Sequence, residues 1–294
     1  MAKEKIPVYD ICSLGNQHEG NDDFLVDRLP DYLDKHLGHL HFPHRHAFYH
    51  LVLFTEGRGT HTIDFSQFDV QEGQFYFMAP GQVHGWNFAG NMNGYIVNFT
   101  EALFKPFLQQ TGYLERFSFF SGISEEGVCQ LPQEVVKTIT HIFEQLLQYA
   151  ADMRRHADMV RVLLLQVFLV VDDALADRQH AGVPQQKLVL LRGFRKLIDT
   201  HYRSLRLPKE YADLLYVTPN HLNALCQDLI GKTAGELIRD RVLLEARRLL
   251  ANARMSVTEV AYDLNFQDNS YFNRFFKKYT GQTPDEFRKH ILKA

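Results

Sequence analysis

The spacing of apolar positions changes along this chain, and the change divides it. From Leu37 to Phe99, short runs such as FYHLVLFTEG, GTHTIDF, GQFYFMAP and GYIVNF are rich in Val, Ile, Phe and Tyr and punctuated by Gly, Pro and Asn. That texture predicts strands, and their spacing suggests a small barrel or sandwich. After Thr100 the period becomes helical. Val135, Ile139, Ile142, Phe143, Leu146 and Leu147 mark one side of a helix beginning near Pro132. Val160, Leu163, Leu164, Val167, Phe168 and Val171 mark a second, from about His156 to Asp177. Its wide apolar stripe suits burial against the barrel, or a dimer seam. Residues 1 to about 36 carry only scattered turn signals and are assigned to an arm and early strands.

A polar segment from Arg178 to Gln186, with Gly182 and Pro184, reads as a linker. Beyond it the pattern is helical throughout. A helix is expected from Lys187 to Tyr202 and another from Pro208 to Leu215. A third starts at the N-cap Thr218, with Pro219 in first position, and stops before Gly231. GELIRDRVLLEARRLLANA makes one continuous helix, whose Arg239, Arg241, Arg247 and Arg248 are expected as surface charges. Ser256 and Glu259 form a capping box ahead of Val257, Val260, Ala261 and Leu264, after which Asn265 marks a stop. Asp268 or Asn269 then caps a last amphipathic helix, in which Tyr271, Phe272, Phe275, Phe276 and Tyr279 supply the apolar side. Asn269, Ser270, Asn273, Arg274, Lys277 and Lys278 are left for the exposed side, and Gly281 and Pro284 end the helix.

At 294 residues and 45% apolar composition the chain is long enough for about two packed domains. Its formal charge of −3 argues against a nucleic-acid partner only if the charge is evenly spread. It is not. From Lys187 onward there are 19 Lys and Arg against 12 Asp and Glu, and before it 13 against 23, so a basic third near +7 follows an acidic remainder near −10. This asymmetry fits one domain that approaches phosphate and another that does not. Cys12, Cys129 and Cys226 form no metal or disulfide pattern, no apolar run spans a membrane, and the N-terminus lacks a signal-peptide core; a cytoplasmic location is expected.

Two side-chain sets carry candidate chemistry. On the last amphipathic helix, Asn and Arg can read base edges in a major groove, while Lys neutralises phosphate. In the strand-rich part, His44, His46 and His50 precede Gly57, and Pro80-Gly81-Gln82-Val83-His84 follows. Three or four imidazoles from neighbouring strands can hold a transition metal, or they can line a pocket for a small molecule.

SYFNRFFKKYTGQTPDEFR, preceded by a helix and the turn Asn265-Phe266, resembles the C-terminal signature of the AraC/XylS family of bacterial transcription regulators. Asn265 stands where that family favours Gly. LPKEYADLLYVTPNHLNALCQDLIGKT resembles the same family's first helix-turn-helix, with Asn220, His221, Asn223, Ala224 and Gln227 facing the groove but no Arg or Lys among them. The histidine pattern resembles the two motifs of the cupin barrel, with His50 in place of the usual Glu and a shortened second motif.

The resemblance implies an α+β multidomain protein. Residues 1–178 would form a cupin-like β-barrel with following helices, for effector binding and dimerisation. Residues 179–186 would be the linker, and 187–294 an all-α DNA-binding domain with two helix-turn-helix units. Promoter DNA would be met by Asn220, His221, Asn223, Gln227, Asn269, Ser270, Asn273, Arg274, Lys277 and Lys278, the two reading helices lying about 34 Å apart on one side of the duplex. A small-molecule effector would be met by His44, Arg45, His46, His84 and Trp86, with Asn87 a further polar neighbour, and no metal or other cofactor is expected. A homodimer is implied, with RNA polymerase a further partner of such a regulator. Two other readings stay open at this point: a metal-dependent cupin enzyme with His44, His46, His50 and His84 as ligands, and a non-specific architectural DNA-binding protein.

Overall fold

The computed structural model describes residues 7–11, 22–40, 43–108, 112–179, 183–251 and 255–291. Cys12 and the centre of the expected linker lie outside them. The chain forms two compact units, Pro7–Ala181 and Gly182–Ala294.

In the first unit, β1 (Val8–Tyr9), β2 (Phe24–Arg28), α1 (Leu29–Leu40), β3 (His44–His46), β4 (Tyr49–Ile63), β5 (Ser66–Asp69), β6 (Gln74–Met78) and β7 (Val83–Phe99) follow in order. After three short 3-10 turns come α2 (Ser124–Gly127), β8 (Val128–Gln130), α3 (Gln133–Ala150) and α4 (Met153–Gln179), whose backbone breaks from helical angles at His156. The eight strands make one sheet in the order β1-β3-β7-β4-β6-β8, with β2 on β7 and β5 on β4.

Two sequence expectations change here. Residues 29–40 are helical, not an arm running into strands. Leu29, Tyr32 and Leu33 recur at helical spacing and are buried, with Asp31 in the first turn. The runs FYHLVLFTEG and GTHTIDF are one strand, β4, which stays paired with β7 from Tyr49 opposite Phe99 to Ile63 opposite His84. The ladder passes the glycines through register shifts between Phe54 and Arg58. Gly94 lies on β7 at φ 148°, where a Cβ would overlap the Leu53 carbonyl oxygen, so only glycine lets the two strands stay this close.

Alternation along the strands builds two cores. Leu51, Leu53, Tyr95, Val97 and Phe99 face the helices and pack with Ile139, Phe143, Leu164 and Phe168. Val52, Phe54, Tyr76, Trp86 and Ile96 face the other way and pack with Leu29, Tyr32 and Phe48. The imidazoles stand on this second side.

The second unit is α5 (Gln185–His201), α6 (Pro208–Leu214), α7 (Pro219–Ile230), α8 (Ala234–Ala251), α9 (Val257–Asp263), α10 (Asn269–Thr280) and α11 (Pro284–Ile291). Its core includes Phe194, Ile198, Tyr211, Leu222, Val242, Ala246, Val260, Phe272 and Phe276, all at most 4% exposed. Among the described residues, no helix is long and apolar enough to cross a membrane.

Candidate functional site

The α9–α10 pair is held by local polar chemistry at each end. Ser256 Oγ accepts from the Glu259 N–H at 3.1 Å, and the Glu259 carboxylate accepts from the Ser256 N–H at 2.6 Å. These bonds hold the Glu259 carboxyl below its usual pKa. Asn265 then takes φ 59°, the left-handed conformation that a short polar side chain tolerates. Its N–H donates to the Tyr262 carbonyl, and the Phe266 N–H reaches back to Ala261, both at 2.9 Å. Phe266, 7% exposed, locks the turn against Phe272, ring centroids 5.1 Å apart. The Asp268 carboxylate caps α10 by accepting from the Ser270 N–H at 2.6 Å.

Ser270, Arg274, Lys277 and Lys278 are exposed on α10, while Asn269 and Asn273 are half-buried. Asn273 turns its Nδ2 back on its own helix, donating to the Asn269 carbonyl at 2.8 Å and lying 3.1 Å from Asn269 Oδ1. Tyr271, which the sequence pattern gives to the apolar side, is 56% exposed, and Tyr279 38%. Tyr271 is one helical step from Arg274 and so joins the polar face. Its aromatic type gave no sign of this, because Tyr serves core and surface alike.

The first helix-turn-helix, α6–α7, repeats the turn. The Tyr216 N–H donates to Asp213 and the Val217 N–H to Ala212, and Tyr216 holds φ 56° where α9–α10 has Asn265. Thr218 Oγ1 caps α7, accepting from the His221 N–H at 3.1 Å. Asn220, His221, Ala224 and Gln227 are exposed. Asn223 is half-buried, and its Oδ1 accepts from the Ala234 N–H at 3.0 Å, so it ties α7 to the start of α8. Tyr216 is 95% exposed and gains no packing in return for its backbone conformation. Tyr216→Gly is therefore expected to stabilise this unit by about 0.5–1 kcal/mol, and Asn265→Gly by only a few tenths of a kcal/mol, since a left-handed non-glycine costs about 1–2 kcal/mol and Asn less. Urea titrations of the two variants check this, and equal gains would refute it.

The arginines of α8 depart from expectation. Arg248 is 7% exposed, and Arg241 bonds Asp199 at 2.7 Å and Glu245 at 3.0 Å beneath the Tyr202 ring. They are partly or wholly covered and paired within the unit rather than free surface charges, because α8 is surrounded by other helices. Arg239 lies 4.4 Å over the Tyr279 ring. Arg206 donates to the Leu264 carbonyl and stacks 4.9 Å over Phe266, while Arg203 pairs with Asp263 at 3.1 Å, so these side chains tie the segment between α5 and α6 to the α9–α10 turn.

In the sheet-rich unit, β3, β4 and β7 bring five imidazoles together: His44, His46, His50, His61 and His84, none more than 4% exposed. His44 pairs with His84 across the ladder, and His50 with Asn98. His61 Nε2 lies 3.0 Å from His84 Nδ1, and His84 Nε2 lies 2.7 Å from His46 Nε2. His50 Nδ1 lies 2.6 Å from Asn98 Oδ1. Burial pushes His50 down to about 3, and His46, His61 and His84 well below the usual imidazole range, with repulsion among the rings adding to it. These four rings are thus neutral near pH 7. Arg45 lies between His44 and His46 on β3, so strand alternation gives it the opposite face from its two neighbours. His61 was not among the candidates from sequence.

Trp86 adjoins this cluster. Its ring centroid is 5.7 Å from those of His50 and His84, and its Nε1 is buried without a hydrogen-bond partner among the described residues. It also lines a cleft of about 430 Å³ with Pro30, Leu33, Asp34, Asn87 and Met92.

Residues 32–169 match the AraC-like ligand binding domain, and residues 211–290 match a helix-turn-helix domain family. The chain belongs to the AraC family. This AraC-family protein is a transcription regulator with a ligand-binding N-terminal domain and a DNA-binding C-terminal one. It is similar to the transcriptional activator RhaR of Escherichia coli, 22% identical over 253 residues that make up 83% of this chain and 86% of that protein. It is also similar to the transcriptional regulator YisR of Bacillus subtilis, 20% identical over 267 residues, 86% of this chain and 90% of that one. A crystal structure of ToxT from Vibrio cholerae aligns over 92% of this chain and 96% of its own, at 11% identity and a TM-score of 0.41.

Proposed function

We propose that this regulator binds a specific promoter sequence through α7 and α10 and that a small molecule in the Trp86 cleft controls that binding. The observation that carries the DNA half is the exposed face of α10. Ser270 and Arg274 would meet base edges, with Asn269 and Asn273 beside them, and Lys277 and Lys278 would meet phosphates. On α7, Asn220, His221 and Gln227 would add neutral contacts, while Asn223 acts through the position of α8. For the ligand half, the buried Trp86 indole N–H supports a ligand that offers an acceptor, and Asp34 and Asn87 supply polar neighbours. His44, His46 and His84 would act on that ligand through Trp86.

The reading extends to a homodimer in the cytoplasm, with residues 1–178 as the effector and dimerisation domain and 187–294 as the DNA-binding domain. Met159, Val162 and Leu169, each more than 40% exposed on α4, support a second copy packing there. The chain would not be an enzyme: its imidazoles are enclosed, which suits a structural or sensing role better than turnover.

Genomic footprinting with and without candidate small molecules tests the whole reading. Discrete protected sites whose occupancy changes with one compound are expected, with preference over random duplex of at least about a thousandfold at fixed salt. Uniform protection would favour an architectural DNA-binding protein and overturn the reading.

A further inference from the structure

We propose that the enclosed imidazole cluster binds one divalent first-row transition ion, with His44, His46 and His84 as its ligands. The site is separate from the Trp86 cleft, and the proposal stands whether or not a small molecule binds there. One ring nitrogen from each of the three lies within 4.8 Å of the others, and all three rings are buried. His44 and His84 face each other across the β3–β7 ladder and His46 lies two residues along β3, so the sheet itself brings them together. An ion about 2.0–2.1 Å from each nitrogen would hold them roughly 3.3 Å apart, so His46 and His84, now 2.7 Å apart, would part slightly, while the widest pair, within 4.8 Å, would close toward the ion. Three imidazoles with no thiolate or carboxylate among them favour zinc, nickel, copper or cobalt over calcium or magnesium.

The surrounding polar atoms orient the ligands. His84 presents Nε2 to His46, and its Nδ1 is held by His61 Nε2, as a ligating histidine is commonly held from behind. His61 is therefore a positioning residue. Asn98 Oδ1 can only accept, so His50 donates from Nδ1 and its Nε2 carries a lone pair. That nitrogen is buried and has no hydrogen-bond partner among the described residues, and its ring stacks on His46 at 4.6 Å, which places a fourth nitrogen donor beside the three. A purely hydrogen-bonded cluster leaves that lone pair unused. An ion uses it.

Trp86 makes the proposal measurable. It is the only tryptophan of the chain, and its ring lies 5.7 Å from those of His50 and His84, so a paramagnetic ion in the cluster must quench the protein's indole emission. The full chain, stripped with a chelator, would be titrated with cobalt(II) or nickel(II), with bound metal counted by elemental analysis. Saturation at one ion per chain, with quenching that ends at the same point, is expected. His61→Leu should keep that stoichiometry and weaken binding by about 10–100-fold. The His44→Ala/His84→Ala pair should abolish stoichiometric uptake. Folded wild-type chain that shows no one-to-one saturation, or that takes up metal without change in Trp86 emission, overturns the proposal, and so does undiminished uptake by the folded double variant. The wild-type titration decides even if the double variant does not fold.

Discussion

Replacing Phe276 by Ala is expected to cost the DNA-binding unit about 3–5 kcal/mol, the usual range for emptying a buried aromatic site. Phe276 is fully buried on α10, with Phe272 at 5.9 Å and Phe287 of α11 at 5.5 Å. Phe272, its aromatic neighbour on α10, also packs against Phe266 at the turn, ring centroids 5.1 Å apart. A domain is stable by only about 5–15 kcal/mol, so the loss removes much of that margin and should bring a steep fall in DNA binding. The damage should be confined. Trp86, the only tryptophan, lies in the other compact unit, so urea unfolding followed by its emission should be unchanged, while far-UV circular dichroism should show an early helical transition. A loss below about 1 kcal/mol would mean that α10 does not depend on this contact.

Arg274→Ala is expected to leave stability unchanged and weaken specific binding by about 1–3 kcal/mol, roughly 5- to 150-fold, with relaxed choice at one base pair. Arg274 is exposed on α10, beside Ser270 and Lys278 on one face. Its guanidinium can pair with two acceptors of a guanine edge, which a lysine cannot match in geometry. Lys277→Ala provides the contrast. It should weaken every duplex alike and lower the slope of log affinity against log salt by about one. Competition gel shifts against operators with single base changes separate the two outcomes. If Arg274→Ala lost affinity for all sequences equally, its role would be phosphate neutralisation.

The two variants separate what the sequence says well from what it says poorly. The helix-turn-helix units are legible because their signals are local. The capping box of Ser256 and Glu259, the Asp268 cap and the left-handed Asn265 each act within a few residues, and the structure forms all of them. Which aromatic faces inward is less local: Phe272 and Phe276 are buried but Tyr271 is not, and helical spacing alone does not divide such a dense run. Asn223 likewise reads as a groove residue until the Ala234 N–H, eleven positions on, is found against its amide.

The sequence by itself determined that strands would form, that His44, His46 and His84 would converge from neighbouring strands, and that a basic helical third follows an acidic remainder. These follow from period, residue type and charge, which a linear chain carries in full. Only the tertiary structure decided that His61 joins the imidazoles. His50, Val52 and Phe54 face inward at even positions of β4, whereas His61 and Ile63 do so at odd ones, because the register shifts between Phe54 and Arg58 change which face a residue takes. A bulge of this kind depends on the partner strand across the sheet. The sequence of β4 alone does not contain it.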